Sequence, residues 1–157
     1  MATLSIPVRL ALSELSAAAL AESATNLAMA SDHQTFITAL EDNHHLWRTL
    51  VGVAHQQSWN TPDARQAEFV MTVSRKCGLG VCDDHVEALI GINHRVSSQL
   101  AGGSDLCRIT RRANMAWRET GVSEAVPFHH WLVEEILRKA RHSPPAGTTP
   151  SPLAEAG

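Results

Sequence analysis

Residues 40–50, LEDNHHLWRTL, place side chains that can bind metals or form hydrogen bonds beside a tryptophan. His44 and His45 are adjacent, so on a helix their side chains point about 100° apart and cannot share one ion. Glu41 and His45 are one turn apart on a common face that could hold a metal. Because this face lies opposite the apolar side of the predicted helix, we interpret it as a solvated surface and predict no metal site.

A second group of metal-binding residue types is CGLGVCDDH, residues 77–85. Structural zinc sites combine a close cysteine pair with a second pair of ligands elsewhere in the chain. Here four residues separate Cys77 from Cys82, and no second pair follows, so we predict no metal here either. Asp83 and Asp84 suit the start of a helix, where carboxylates accept backbone N–H groups and complement the helix dipole.

Catalytic chemistry has little support in the sequence. The chain contains no Gly-x-Ser-x-Gly, Walker or Gly-x-Gly-x-x-Gly motif, the patterns that position a nucleophile or a phosphate group. We expect Cys107 to be a buried residue of a helix rather than a nucleophile paired with a distant histidine. The sequence therefore predicts a protein that is not an enzyme and needs no cofactor.

Composition narrows the class of protein further. Abundant alanine and short β-branched runs favour helices over strands, and a net charge of −3 argues against a strongly basic nucleic-acid binder. An odd number of cysteines, three, without paired spacing is typical of a reducing compartment. No apolar run reaches membrane-spanning length, and the first residues are interpreted as a helix rather than a signal peptide. We therefore expect a cytoplasmic protein.

Hydrophobic periodicity predicts six helices and no strand, which defines an all-α fold. Pro7, a capping box at Ser31 and Gln34, and Thr61-Pro62 mark helix starts. The predicted helices span about 7–29, 31–57, 61–78, 83–102, 104–121 and 127–142. We expect a four-helix core in residues 1–103, a helical hairpin in 104–142 and a proline-rich disordered tail in 143–157.

Two asparagines lie in the centre of apolar helix faces. On a helical wheel Asn43 lies about 20° from Phe36, and Asn93 lies about 20° from Val86. A buried amide without partners costs roughly 1–3 kcal/mol. The two amides could therefore bond each other and set the register of the helices, bond a backbone carbonyl, or meet a partner chain beside Trp47.

The order and spacing of several short motifs resemble the FlaF family of flagellar biosynthesis regulators, over about residues 5–102. The matching residues are Ala39-Leu40, Asn43, Leu46-Trp47, Val73 with Arg75-Lys76, Leu89-Ile90 with Ile92-Asn93, and Leu100. The resemblance implies an all-helical cytoplasmic protein that works with a companion regulator, FlbT, on flagellin synthesis and export. Binding of flagellin is the mode of action that it suggests. It brings no catalytic residues, and the family pattern ends near Leu100.

The remaining helical part, about residues 108–140, resembles a short bacterial module of unassigned function. The matching residues are Ala113, Trp117, Gly121, His130-Trp131-Leu132 and Glu134 or Glu135. Because so short a unit has little other core, we expect Trp117 and Trp131 to pack together.

Three functional hypotheses follow. The first is a regulator or export chaperone that binds flagellin and an FlbT-like protein, with a groove near Trp47 and the fourth helix receiving an amphipathic segment. The second is a nucleic-acid-associated regulator that uses Arg108, Arg111 and Arg112. The third is a homo-oligomerisation module in which the asparagines set the register between copies.

Overall fold

A computed structural model of the chain describes residues 10–75 and 83–143, which contain six helices and no strand. The all-α prediction is therefore confirmed. The helices are α1 (Leu12–Met29), α2 (His33–Gln57), α3 (Ala64–Arg75), α4 (Asp83–Ala101), α5 (Leu106–Glu119) and α6 (Phe128–Arg141). None of these six combines the length and apolar character needed to cross a membrane. Pro7, Cys77, Gly78, Cys82 and the predicted tail from residue 144 lie outside the described residues.

Helix α1 lies at the centre of the fold and packs against α2, α4, α5 and α6. All six residues from Leu15 to Leu20 are buried, and a helix buried around its whole circumference must be surrounded by other elements. Three of these residues are alanines, whose small side chains allow neighbouring helices to approach closely. Helix α1 therefore contacts four of the other five helices and links them into one core.

The predicted core and hairpin share one hydrophobic cluster. Gln56 of α2 donates hydrogen bonds from Nε2 to the carbonyl oxygens of Ala140 and Ser143, at 3.1 and 3.3 Å, where α6 ends. The residues that α5 and α6 contribute to the common core include Ile109, Ala113, Trp131, Leu132 and Ile136. The buried core is thus continuous across the boundary predicted at residue 103.

Four helices begin later than their sequences predict. Helix α1 begins at Leu12 rather than near Pro7. In α2, α3 and α5 the later start has a common cause, because an aspartate caps each helix, and in α5 this is Asp105 rather than Ser104. In α2 the cap is Asp32 rather than Ser31: its Oδ1 accepts from the Thr35 backbone N–H at 2.8 Å, and the Thr35 hydroxyl accepts from the Asp32 N–H. In α3, Asp63 and Gln66 form the same reciprocal pair, at 2.8 and 3.2 Å. Each pair satisfies two backbone donors that the first helical turn leaves without partners.

Candidate functional site

Asn43 of α2 and Asn93 of α4 meet in the core, and both are 0% exposed. Asn93 Nδ2 donates a hydrogen bond to Asn43 Oδ1 at 2.8 Å. Trp47 Nε1 donates to Asn93 Oδ1 at 2.9 Å, and Ser23 Oγ of α1 donates to Asn43 Oδ1 at 2.8 Å. These residues form a buried amide network that joins α1, α2 and α4.

The network extends to the backbone of α1. Asn93 Nδ2 lies 3.4 Å from the carbonyl oxygen of Leu20, and Ser97 Oγ donates to the carbonyl oxygen of Ala17 at 2.7 Å. Ser97 follows Asn93 by one helical turn, so the two side chains share a face of α4. The four-residue spacing indicates from the sequence that Asn93 and Ser97 lie on one face of the helix. It does not indicate which other helix that face contacts. Together the two residues fix α4 against α1.

The structure corrects the location of the predicted binding groove. Trp47 is fully buried, so no groove is formed at its side chain. A partner could contact Asn43, Trp47 or Asn93 only if the helices separated. The two asparagines bond to each other and to other residues of the same chain. Such contacts are the ones expected if these residues set the register of the helices.

An open groove of about 670 Å³ lies elsewhere, between α1 and α5. Its walls are mainly apolar, and Met115 of α5 is 55% exposed there. Helix α5 begins after Asp105, whose carboxylate accepts from the Cys107 N–H at 3.0 Å. Residues that line the groove include Ala21, Thr25, Leu106, Met115 and Phe128. Exposed apolar surface in a concave site is typical of a binding surface.

Charged side chains are distributed unequally around this groove. Arg111 and Arg118 line it on the α5 side, whereas Arg108 and Arg112 are exposed on the same helix outside the lining. Within residues 10–75 and 83–143, none of these four arginines has an ion-pair partner within 4.0 Å. On the α1 side, partial burial raises the pKa of Glu22, because the charged carboxylate loses contact with water.

His129 of α6 is a buried titratable residue that the sequence analysis did not single out. It is 4% exposed, and neither ring nitrogen makes a hydrogen bond of normal geometry within the described part of the chain. Burial lowers the pKa of His129, and the carboxylate of Asp42 opposes this shift. The neighbouring His130 places Nε2 3.1 Å from Asp42 Oδ1. These contacts are part of the interface between α2 and α6, to which Gln56 also contributes.

The other residues considered for chemistry are dispersed. Glu41 and His45 are exposed on α2. Cys107 is also exposed, so the prediction that it is buried is wrong: it lies in the first turn of α5, beside the groove. Over the described ranges, no group of three or more His, Cys, Asp or Glu side chains is arranged to hold a metal ion.

The two tryptophans of the helical hairpin are linked through a third ring. Phe128 lies 5.2 Å from Trp117 and 6.3 Å from Trp131, measured between ring centroids. Trp117 also donates from Nε1 to the carbonyl oxygen of Val126 at 2.8 Å. The predicted packing of the hairpin therefore runs through Phe128, which also lines the groove.

The chain was compared with protein-family models, curated proteins and solved structures. No family model, no curated protein and no solved structure matches the chain.

Proposed function

We propose that the chain is a non-enzymatic regulator of flagellar biogenesis that acts on flagellin synthesis or export by binding protein partners. The observation that carries this proposal is the open, mainly apolar groove between α1 and α5. A groove of this kind suits the apolar face of an amphipathic helix. The motifs that resemble the FlaF family supply the expected partners, flagellin and an FlbT-like regulator.

The buried amide network supports this proposal by giving the groove a fixed wall. Leu20 and Ser23 of α1 contact the network, whereas Ala21, Glu22 and Thr25 of the same helix line the groove. Successive residues of a helix point about 100° apart, so fixing one face fixes the others. A preorganised surface binds more tightly because less conformational freedom is lost on association.

The direct test of the proposed function is capture of identified partners. The purified full chain is immobilised and exposed to a lysate of flagellated bacterial cells. Flagellin and the FlbT-like protein are then detected with specific antibodies. We expect flagellin to be retained. If both proteins are absent while a FlaF-family control retains them under the same conditions, the proposed function is wrong.

A second candidate function is a nucleic-acid-associated regulator. It is favoured by Arg108, Arg111 and Arg112, which are exposed on one helix and have no described ion-pair partner. Free arginines contribute salt-dependent attraction to phosphates. This candidate predicts retention on RNA or DNA at low salt that weakens when the three arginines are replaced by alanine. Absence of retention at low salt would eliminate it.

A further inference from the structure

We propose that the groove between α1 and α5 binds a helix with an apolar face and acidic residues along one flank. This inference rests on the proposed function, since it takes the groove to be a protein-binding site, and it specifies the chemistry of the partner. It is carried by the unequal placement of Arg111, Arg118 and Glu22 around an apolar surface.

The arginines define the spacing of the acidic residues. Arg111 and Arg118 are seven residues apart, which is two helical turns and about 10 Å along α5. A partner helix that lies along α5 presents the same face every seven residues, so two carboxylates with that spacing can meet both guanidinium groups. Hydrogen bonds between guanidinium and carboxylate groups are charge-assisted and often bidentate.

The apolar lining defines the other face of the partner. Leu106, Met115 and Phe128 lie in the groove with the small side chain of Ala21. Methionine adapts its shape readily to a bound apolar group. A helix with apolar residues at intervals of three and four would cover this surface.

Glu22 determines on which flank the acidic residues must lie. It stands on the α1 side of the groove, and its pKa is raised by burial. A partner carboxylate on that side would lie near the carboxyl group of Glu22, whereas on the α5 side it meets arginine. The acidic flank is therefore the one that faces α5.

The proposal is tested with two synthetic helices about five turns long. Both carry the same apolar face; one carries glutamates on one flank at seven-residue spacing, and its twin carries lysines at the same positions. Binding to the purified full chain is measured by fluorescence anisotropy. We expect the acidic peptide to bind about tenfold more tightly than its twin, since two partly exposed ion pairs are gained.

Matched variants locate the effect. Replacing Arg111 and Arg118 together by glutamate should reverse the preference, so that the lysine peptide binds more tightly. Replacing Arg108 and Arg112 by glutamate makes the same change of net charge on the same helix outside the groove lining, and should leave the preference intact. Circular dichroism is used to check that both variants remain helical. Unfolding would weaken binding of both peptides and could not make the lysine peptide bind more tightly than the acidic one.

Several results would overturn the inference. Equal binding of the two peptides, or equal loss of preference in the two double variants, would show that Arg111 and Arg118 do not select an acidic partner. Displacement of the peptide by a single-stranded RNA, or dimers of the chain that Met115→Glu dissociates, would show that the groove has a different occupant. If flagellin is captured but the peptides do not differ, this inference fails and the proposed function stands. If the peptides differ but flagellin is not captured, the proposed function fails and the charge preference of the groove stands.

Discussion

At the scale of single residues, the buried side chains of Asn43 and Asn93 join α1, α2 and α4 through hydrogen bonds. The helical period placed Asn43 and Asn93 in the middle of apolar faces, and both are buried. A wheel describes one helix at a time, however, and cannot show that Asn93 bonds both Asn43 and Trp47. Nor could it identify Ser23, because serine is common on exposed and buried faces alike.

Replacing Asn93 with leucine should lower the free energy of unfolding by about 1–3 kcal/mol. The change leaves the Trp47 indole N–H without its acceptor and removes the donor to Asn43, while a similar volume is kept. Urea denaturation followed by circular dichroism measures the loss. As a control, Asn114→Leu alters an asparagine of the groove for which no side-chain hydrogen bond is described. Equal stability of the two variants would show that the network contributes nothing.

His129 makes stability depend on pH. Its pKa is lowered in the folded chain, so below the ordinary value of 6.5 the unfolded state binds more protons. The stability that neutral His129 contributes is therefore complete above pH 6.5 and is lost as the pH falls below it. The free energy of unfolding then changes by at most about 1.4 kcal/mol per pH unit. The charged or titratable groups near it are Asp42, His45 and His130.

We therefore expect the unfolding free energy of the full chain to fall between pH 7.5 and 5.5, and the fall to be smaller in His129→Leu. Urea titrations across this range measure the slope. The control is His94→Leu, which changes an exposed histidine of α4. An identical slope in all three proteins would contradict the role given to His129.

At the scale of elements, the sequence predicted the six helices well but not all of their first residues. The first residue of a helix depends on which of several adjacent residues caps it. In α2 the side chain of Asp32, not that of Ser31, accepts the hydrogen bond from the helix backbone. The central position of α1 was also hidden, because an alanine-rich helix is compatible with many environments. The burial of Ala18 on this helix reflects packing partners that lie far away in sequence.

Ala18→Leu should reduce the free energy of unfolding by about 1–3 kcal/mol, because Ala18 is fully buried and three additional carbon atoms would overpack the helices around it. Ala28→Leu makes the same change at an exposed position of α1 and should have little effect. Thermal unfolding of both variants provides the comparison. Similar melting temperatures would show that α1 is not tightly surrounded.

At the scale of the whole molecule, α5 and α6 complete the core and form one side of the groove. The residues that resemble the FlaF family end near Leu100, so the family pattern contains no information about this surface. The groove is lined by Ala21 and Met115, which are more than ninety positions apart in sequence. Helical periodicity can predict each apolar face but not which two faces lie side by side.

Because the core is continuous, the chain should unfold in one cooperative transition. Leu132→Ala in α6 should lower stability by about 2–5 kcal/mol and shift circular dichroism and tryptophan fluorescence together. Glu134→Ala, at an exposed position of α6, is the control. Two separated transitions, with only one shifted by the leucine variant, would mean that the hairpin folds as an independent unit.

The dissociation constant for purified flagellin tests directly whether flagellin binds the groove between α1 and α5, as proposed. Met115→Glu places a charge in the groove, and Val51→Glu places one on α2, where Val51 is 39% exposed. We predict that the first variant weakens binding by at least about tenfold, while the second binds as the unaltered chain does. Equal binding by all three proteins, or loss of binding only in Val51→Glu, would show that flagellin does not bind in this groove.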